Sequence, residues 1–451
     1  MEQTGPAGQG AVSRRPVTVL IKPASSLCNL NCAYCFYLEK QRLYPWAAGP
    51  RMTLETFARF WEQYVEMSSP WLSLAWQGGE PTVMGLPFFQ QVLARQHATL
   101  EGSGRRAHNA LQTNGLLLDP DWAAFLREEG FLVGLSLDGP PEWHDRYRRD
   151  RGGRPTQARV LAALRLLQEE RVPFNALTVV HRANAGSPRE LFSYLVGLGL
   201  DNLQFIPLAG CTPGLGADGG MAAEYALTPE EYADFLSGLL EAWLAHGFRR
   251  VRIRYLDNIV QLLLGQPSEL CQLAPTCGYL VLEHNGDLYP CDFFVDEAWR
   301  LGNVHECSLA EVLGGSAFAR FRTLKWQLPA ACRACRWRPL CHGECPGARA
   351  DTGGASHAGL PYLCSAYQRF FSRSLGLLEQ VAHQVRREAG AALPQPGLGA
   401  AWRSAQPALA AVGAPAESRP AAPGRNDPCV CGSGRKFKQC CGRQPLAGSA
   451  G

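Results

Sequence analysis

The run Cys28-Asn29-Leu30-Asn31-Cys32-Ala33-Tyr34-Cys35 places three cysteines within eight residues, close to the start of a 451-residue chain. Three thiolates can hold three corners of a four-iron cluster, which normally takes four Cys ligands. The run therefore predicts an iron–sulfur cluster with one iron left open to a further ligand. The alternatives are three buried free cysteines or a fragment of a zinc site.

The spacing Cys-x3-Cys-x2-Cys, with an aromatic residue before the last Cys, resembles the signature of radical S-adenosylmethionine (SAM) enzymes. The resemblance implies a [4Fe-4S] cluster on Cys28, Cys32 and Cys35. Its open iron would chelate the amino and carboxylate groups of SAM. An electron from the cluster would then cleave SAM to a 5′-deoxyadenosyl radical.

Composition excludes several classes of protein. The chain carries 44 basic and 40 acidic residues, a formal net charge of +4, which argues against a specific nucleic-acid partner. It has no run of about 18 consecutive apolar residues and no apolar signal core at its N-terminus, so we expect no membrane partner and a cytoplasmic location. Seventeen cysteines in a cytoplasmic protein favour metal or redox chemistry over disulfides.

Short apolar runs alternate with amphipathic segments between residues 17 and 207. This alternation predicts strands joined by helices, and hence a parallel sheet with functional residues at the carboxyl ends of its strands. We expect an α/β fold built on a partial (β/α)6 barrel. The predicted strands are 17–21, 72–76, 108–112, 132–137, 174–180 and 203–206, and the predicted helices are 54–67, 88–100, 121–129, 157–170 and 188–198.

Composition also divides the chain into predicted segments. They are a disordered N-terminus (1–15), the barrel (16–227), a connecting helical segment (228–270), a Cys-rich domain with a C-terminal helix (271–388), an Ala/Pro/Gly-rich linker (389–424) and a compact Cys-rich tail (425–443).

Gln77-Gly78-Gly79-Glu80-Pro81 follows the second predicted strand and resembles the Gly-Gly-Glu-Pro motif of radical SAM enzymes. Glycines after a strand let the backbone approach a ligand closely. The resemblance implies that Glu80 takes the amino group of SAM, and that Ser136 and Arg148 contact its ribose and carboxylate. A simple loop turn and a solvated basic residue are the alternatives. The full set of implied SAM contacts is Tyr34, Gly78, Gly79, Glu80, Ser136 and Arg148.

Eight further cysteines make two complete four-thiolate sets, which suit zinc and iron–sulfur clusters alike. Their spacing resembles the SPASM extension of radical SAM maturases. The resemblance implies two auxiliary [4Fe-4S] clusters, three clusters in all, whose full ligation favours electron transfer. By this resemblance Cys271, Cys277, Cys291 and Cys345 form the first auxiliary set, and Cys332, Cys335, Cys341 and Cys364 form the second.

The pattern from Cys35-Phe36-Tyr37 through Trp76–Pro81 to Tyr289-Pro290-Cys291-Asp292 resembles the anaerobic sulfatase-maturating enzymes over about residues 17–385. The resemblance implies oxidation of a Cys or Ser in a sulfatase polypeptide to Cα-formylglycine, with an electron donor such as a flavodoxin or ferredoxin. Asp292 would take the proton of the substrate thiol or hydroxyl; the alternative is an Asp that only orders the cluster loop. Tyr37 and Gln77 would line the substrate pocket or serve in packing.

The tail resembles the SEC-C module, with Cys429, Cys431, Cys440 and Cys441 at its zinc-ligand positions. Four thiolates close a structural zinc site, so we expect this motif to fold and to dock on a protein or ribosomal surface rather than to catalyse. Cys211 and Cys307 remain without an assigned role.

Two rival functions stay open at this point. One is a related maturase that acts on a ribosomally made peptide, for example by forming a thioether cross-link. The other is a non-catalytic, zinc-rich adaptor that uses the tail to bind a translation or export partner.

Overall fold

The computed structural model describes residues 17–67, 71–209, 222–349 and 359–389. The predictions for the N-terminus, for Cys211, for the linker and for the Cys-rich tail lie outside these residues.

Ten strands form one open sheet in the order β10-β9-β8-β1-β2-β3-β4-β5-β6-β7. Each neighbouring pair from β1 to β7 is parallel, and so is the pair of β1 with β8. β9 and β10 run antiparallel to their neighbours. The strands are β1 Thr18–Lys22, β2 Trp71–Trp76, β3 Arg106–Thr113, β4 Leu132–Ser136, β5 Phe174–Val180, β6 Asn202–Pro207, β7 Arg252–Ile253, β8 Tyr279–Glu283, β9 Asp287–Tyr289 and β10 Gly302–Asn303.

Helices connect the parallel strands and continue after the barrel. They are α1 Leu54–Glu66, α2 Leu86–Leu100, α3 Pro120–Glu128, α4 Pro141–Tyr147, α5 Gln157–Glu169, α6 Pro188–Gly197, α7 Ala222–Tyr225, α8 Pro229–His246, α9 Arg254–Leu263, α10 Leu309–Gly314, α11 Ser316–Thr323, α12 Ala330–Arg333, α13 Arg338–Cys341 and α14 Cys364–Ala389. Among the described residues, no helix is long and apolar enough to cross a membrane.

Helix α1 shows how the sequence builds the barrel core. Thr53 begins the helix because its hydroxyl accepts the backbone N–H of Thr56 at 3.0 Å, which satisfies a donor that the first helical turn leaves open. Phe57 and Trp61, four residues apart on one face, are fully buried. The Phe57 ring lies 5.7 Å from that of Trp76 on β2, so aromatic packing fixes this helix on the sheet.

The six predicted strands are all present, but the sheet extends beyond them at both edges. β7 adds to β6, and β8, from the Cys-rich segment, adds to β1 with Lys22 opposite Glu283. The segment after Cys271 shows little regular hydrophobic periodicity, and β8, β9 and β10 were not predicted. β8 lies parallel to β1 and next to it. The segment that follows β8 therefore starts at the same end of the sheet as the three-cysteine run, which follows β1.

Candidate functional site

The three-cysteine loop follows β1 and is bound to the segment after α4. The backbone N–H of Asn31 donates to Arg149 O at 2.9 Å, and that of Ala33 donates to Tyr147 O at 3.0 Å. A tight turn joins the last two cysteines, since Cys35 N–H donates to Cys32 O at 3.1 Å. These bonds hold the thiols in place without any metal.

The glycine run after β2 lies directly against the same loop. Gly79 N–H donates to Ser25 O at 2.7 Å, and Glu80 N–H donates to Leu27 O at 2.9 Å. A Cβ on Gly79 would lie 2.2 Å from Leu27 O, and one on Gly78, whose φ is +124°, would lie 2.6 Å from Ser25 O. The two glycines therefore permit backbone contact with the cluster loop, a role that the sequence alone did not reveal. Their contact with SAM stays a prediction.

Glu80 is 1% exposed and accepts four hydrogen bonds from neutral donors. They come from Thr82 N–H (3.1 Å), the Thr82 hydroxyl (2.7 Å), the Thr113 hydroxyl (2.8 Å) and Asn114 N–H (2.7 Å). Burial raises the pKa of Glu80, and these bonds oppose the rise. The Glu80 carboxylate adds to burial in raising the pKa of the Cys28 thiol. The Glu80 carboxylate is buried, is fixed by four hydrogen bonds and makes no ion pair with any described residue. It is therefore suited to bind a cationic group.

Asp138, two residues beyond the end of β4, is the centre of a second buried network. It accepts a bond from Arg148 Nε at 2.9 Å, another from Val179 N–H at 2.9 Å, and one from the Tyr34 hydroxyl. Burial would raise the pKa of Asp138, but the Arg148 guanidinium, two neighbouring histidines and the Tyr34 hydrogen bond together outweigh it and hold the pKa below its usual value. Burial raises the pKa of the Cys32 thiol to about 12. Arg148, which also bonds to Cys32, opposes this rise.

This network contains two of the predicted SAM-contact positions, Tyr34 and Arg148, and a third, Ser136, ends β4 two residues before Asp138. No role was predicted for Asp138, although an Asp directly after a predicted strand was the available signal. His181 was not predicted either. His181 is fully buried, its Nδ1 has no hydrogen-bond partner among the described residues, and burial lowers its pKa to about 4.

Lys22, the last residue of β1, was not predicted as a site residue. Its ammonium lies 2.9 Å from Asp292 Oδ1, and that oxygen has no hydrogen bond to any other described residue. Lys22 is 1% exposed and lies 4.6 Å from the centre of the Tyr37 ring. The Tyr37 hydroxyl in turn donates to the buried Glu283 at 2.6 Å. A lysine that ends an apolar strand was the signal in the sequence.

Gln77 lies at the same edge of the sheet. Its backbone N–H donates to Ile21 O at 2.9 Å, next to Lys22, and its side chain is partly buried. Asp292, Tyr37, Gln77 and Lys22 are therefore collected where β1, β2 and β8 end, beside the loop that carries the three cysteines.

The thiols of the first auxiliary set lie close enough to affect one another. Burial raises the pKa of Cys271 to about 11 and that of Cys291 and Cys345 well above its usual value. Cys271 and Cys345 both add to the rise in the pKa of Cys291. Cys277 adds to the rise in the pKa of both Cys271 and Cys345. Cys291 directly precedes Asp292. This set therefore adjoins the candidate base.

The second auxiliary set behaves in the same way. Burial raises the pKa of Cys332, Cys341 and Cys364, and neighbouring thiols raise it further. Cys335 acts on Cys332 and Cys364, and Cys364 acts on Cys341. The structure thus groups these four thiols, while ligation itself stays a prediction.

Two buried cations connect the loops that carry the auxiliary thiols. Lys325 is 1% exposed and donates to Cys271 O at 3.1 Å, Gln272 O at 3.1 Å and Glu344 O at 2.6 Å. Arg349 donates to Gly343 O at 3.0 Å and to Leu324 O at 2.6 Å. Positive charge placed among buried thiols stabilises their ionised, metal-binding form.

The turn between Cys341 and Cys345 is unusual. His342, Gly343 and Glu344 all have left-handed backbone, with φ of +48°, +73° and +56°. Non-glycine residues adopt this conformation only where the surroundings enforce it. The two cysteines at the ends of this turn, Cys341 and Cys345, belong to different predicted auxiliary sets.

The donor set consists of thiols, the usual ligands of iron–sulfur clusters. Within the described ranges, no three His, Cys, Asp or Glu side chains converge on one point where a metal ion would be held. A four-iron cluster instead spreads its ligands over the corners of a cube, and Cys thiolates are its usual ligands. Thiols that are grouped but not convergent are compatible with that geometry.

The unassigned Cys307 lies elsewhere. Its Sγ contacts Asn303 O at 3.3 Å, and it packs against Gly302 on β10. We interpret Cys307 as a packing residue.

Three family models match the chain. The Radical SAM superfamily matches residues 23–195, the SPASM iron-sulfur cluster-binding domain matches residues 271–336, and the SEC-C motif matches residues 425–443.

Curated relatives match most of the chain. It is 33% identical over 370 residues to the serine-type anaerobic sulfatase-maturating enzyme of Bacteroides thetaiotaomicron, covering 79% of this chain and 89% of that protein. It is 36% identical over 379 residues to the cysteine-type anaerobic sulfatase-maturating enzyme of Clostridium perfringens, covering 82% of this chain and all of that protein.

Solved structures agree. The structure of native anSMEcpe with bound AdoMet and Cp18Cys peptide matches with a TM-score of 0.74 at 35% identity, over 82% of this chain and 100% of that one. Streptococcus suis SuiB bound to the precursor peptide SuiA matches with a TM-score of 0.55 at 17% identity, over 77% of this chain and 76% of that one, a likeness of fold alone.

Proposed function

The chain belongs to the anaerobic sulfatase-maturating enzymes, a radical SAM family, and from this membership we propose that it oxidises a Cys or Ser side chain in a sulfatase polypeptide to Cα-formylglycine. One observation carries the proposal. Asp292 follows Cys291 of the first auxiliary set and is paired at 2.9 Å with Lys22, on the strand that leads into the Cys28–Cys35 loop. A candidate base thus lies between the two predicted redox centres.

We assign Cys28, Cys32 and Cys35 to the first [4Fe-4S] cluster and the two auxiliary sets to two more. When bound, these clusters and SAM supply a radical that removes a Cβ hydrogen atom and a sink for one electron. The tail cysteines would hold a structural zinc ion.

The chain's own residues would place SAM. The Glu80 carboxylate, buried among neutral donors, would offer an acceptor for the cationic amino group. Three of its four hydrogen bonds end on Oε1 and one ends on Oε2. Ser136 and Arg148 would contact the ribose and carboxylate. Arg148 uses Nε for Asp138, which leaves other N–H donors of its guanidinium for an anion.

Asp292 would take the proton that the substrate thiol or hydroxyl loses. A base within hydrogen-bond reach of its proton contributes typically about 10²- to 10⁴-fold to a rate. The Lys22 ammonium orients the carboxylate, and Tyr37, fixed by Glu283, supplies a wall for the peptide beside Gln77. Per turnover, the side chain would lose one hydrogen atom, one proton to Asp292 and one electron. A Ser then carries the aldehyde directly, whereas a Cys becomes a thioaldehyde, which water converts to the aldehyde with release of hydrogen sulfide.

We also propose a cellular location, an electron donor and a docking role for the tail. A cytoplasmic location suits free thiols and clusters, since that compartment keeps cysteines reduced. A flavodoxin or ferredoxin would deliver the electron that starts each turnover. The SEC-C tail would dock on a protein or ribosomal surface and raise the local concentration of the client.

The rival functions have less support. Both relatives described above carry the name of a sulfatase-maturating enzyme. The structure of SuiB bound to a precursor peptide shows a likeness of fold alone, at 17% identity, and an adaptor would need neither the Lys22–Asp292 pair nor the Glu80 network.

The direct test is anaerobic incubation of the reconstituted protein with SAM, dithionite and peptides that carry the sulfatase target residue as Cys or as Ser. We expect 5′-deoxyadenosine, and a peptide whose target residue alone has become an aldehyde, identified by tandem mass spectrometry and hydrazide labelling. Cleavage of SAM without any aldehyde in either peptide would contradict the proposed substrate. An absence of SAM cleavage would contradict the whole assignment.

A further inference from the structure

The second auxiliary set lies near the surface of the protein. Between Cys332 and Cys341, the side chains of Arg333, Arg336 and Arg338 are exposed. Two consecutive turns keep them close to the thiols, since Cys335 N–H donates to Cys332 O at 3.2 Å and Arg338 N–H donates to Cys335 O at 3.1 Å. We call these three residues the arginine patch.

The first auxiliary set lies next to the candidate base. Cys291 precedes Asp292, and its surroundings include the fully buried Phe294. An electron released at Asp292 would therefore reach the first set before the second. The second set is the one from which it would leave the protein.

The charge around the second set is one-sided. Residues 312–343 contain no Asp or Glu, but six Lys or Arg. They are Arg320, Arg322, Lys325, Arg333, Arg336 and Arg338. For the chain as a whole, basic and acidic residues nearly balance, at 44 and 40. Three of the six, Arg333, Arg336 and Arg338, lie between thiols of the second set and are exposed. Lys325 instead donates to Cys271 O beside the first set and is buried. The exposed positive charge beside the second set is therefore the arginine patch.

The arginines here are held differently from many others on the surface. Elsewhere Arg95 pairs with Glu62 at 3.4 Å and Arg373 with Asp234 at 3.3 Å. In the patch, Arg336 lies over the ring of Trp337 at 4.5 Å, and Arg333 donates to the backbone carbonyl of Leu328. Arg333 and Arg338 make no ion pair with any described residue. Their charge is available to a partner.

We propose that the arginine patch docks an acidic, one-electron carrier protein that removes the electron from the second auxiliary set. The inference rests on the proposed function, since it needs the auxiliary sets to hold clusters. Clustered positive charge steers an acidic partner to a matching surface and raises its association rate. Arginine is also enriched among the residues that dominate binding at protein interfaces.

The transfer balances simply. One electron leaves the reduced auxiliary cluster, which returns to its oxidised state, and the carrier is reduced by one electron. No bond forms or breaks, and no leaving group is involved. The carrier is the oxidant, a flavin or iron–sulfur protein with a negative surface.

The test uses the full-length, reconstituted protein, reduced with dithionite and freed of excess reductant. It is mixed anaerobically with oxidised flavodoxin in a stopped-flow instrument, at several salt concentrations. The triple variant Arg333→Glu, Arg336→Glu and Arg338→Glu is expected to lose at least about tenfold in the second-order rate constant at low salt. Its rate should also lose the decrease with salt that the wild-type protein shows.

A matched control reverses three exposed arginines on the barrel, Arg59, Arg106 and Arg165, and so changes the net charge equally. At low salt we expect its rate to fall less than that of the patch variant, because its charges do not flank the second set. At about 0.15 M salt, where distant charges are screened, its rate should stay within about twofold of wild type. All three proteins should retain the same iron content and reduce a neutral quinone equally fast, since the changed side chains are exposed.

An unchanged rate in the patch variant, or an equal loss in the control, would overturn the docking proposal. The readout involves no peptide, so it is separate from the proposed function. Formylglycine formation driven by dithionite should be the same in all three proteins. If no protein makes formylglycine but the patch effect is present, the substrate assignment fails and the docking surface stands.

Discussion

The end of the sheet and the Cys-rich segment hold their cysteines in different ways. The three-cysteine loop is bound by backbone hydrogen bonds to two neighbouring loops, such as Gly79 N–H to Ser25 O at 2.7 Å. The auxiliary cysteines lie on short turns joined by side-chain cations, such as Lys325 with its three backbone carbonyls. The first arrangement is a rigid pocket beside a parallel sheet, and the second is a set of loops organised around charge.

This difference suggests a division of labour. The sheet end offers three grouped thiols and two buried carboxylate networks, which suit a site that binds and cleaves a cofactor. The Cys-rich segment offers complete thiol sets and buried positive charge, as a site that accepts an electron requires. Asp292 and Lys22 join the two regions.

The largest expected effect comes from replacing one cysteine in each region, in separate variants. Cys32→Ala should abolish both SAM cleavage and formylglycine formation, because the open cluster cannot form with two thiolates. Cys335→Ala should leave SAM cleavage within about tenfold of wild type while formylglycine falls far more. Both products are measured by mass spectrometry in the same anaerobic reaction. Equal loss of both products in the two variants would show that the regions do not have separate roles.

The next effect is at the junction itself. Asp292→Asn should lower formylglycine formation by about 10²- to 10⁴-fold, because it removes the base that takes the substrate proton. SAM cleavage should continue, so the ratio of 5′-deoxyadenosine to formylglycine should rise by a similar factor. Asp296→Asn, an exposed carboxylate four residues away, is the control and should behave as wild type. A normal product rate in Asp292→Asn would show that another group is the base.

A smaller effect is expected for the partner of Asp292. Lys22→Met removes one charge-assisted hydrogen bond, which is worth about 1.5–3 kcal/mol, so product formation should fall by about 10- to 100-fold. Lys22→Arg keeps the charge and should restore part of the rate. KM for the peptide should change less than kcat, because Lys22 acts through Asp292. If Lys22→Arg is no better than Lys22→Met, orientation of Asp292 by a positive charge is wrong.

The smallest effect is structural and belongs to the sheet end. Gly79→Ala should cost about 1–3 kcal/mol in the free energy of unfolding and loosen the three-cysteine loop, because its Cβ would lie 2.2 Å from Leu27 O. Gly197→Ala is the matched control, since nothing lies within 4 Å of its added Cβ. Chemical denaturation and iron content check both variants. A Gly79→Ala protein as stable as the control would contradict the close backbone contact.

The sequence was informative where pattern and chemistry are local. The alternation of apolar runs predicted all six barrel strands, and cysteine spacing singled out the thiols that the structure groups. It was not informative where distant segments meet. Pairing of β8 with β1 depends on tertiary contact, because Tyr279–Glu283 is only five residues long and has no flanking helix pattern. The partners Lys22 and Asp138 were missed for the same reason, since each acts on residues far away in the chain.

The most direct test of the central claim is an isotope experiment. The enzyme is incubated anaerobically with SAM, dithionite and a target peptide deuterated at Cβ of the Cys or Ser. If this chain oxidises that side chain by hydrogen abstraction, the 5′-deoxyadenosine formed will carry deuterium from the peptide and the target residue will become formylglycine. Formation of 5′-deoxyadenosine free of deuterium, with the peptide unchanged, would contradict the account.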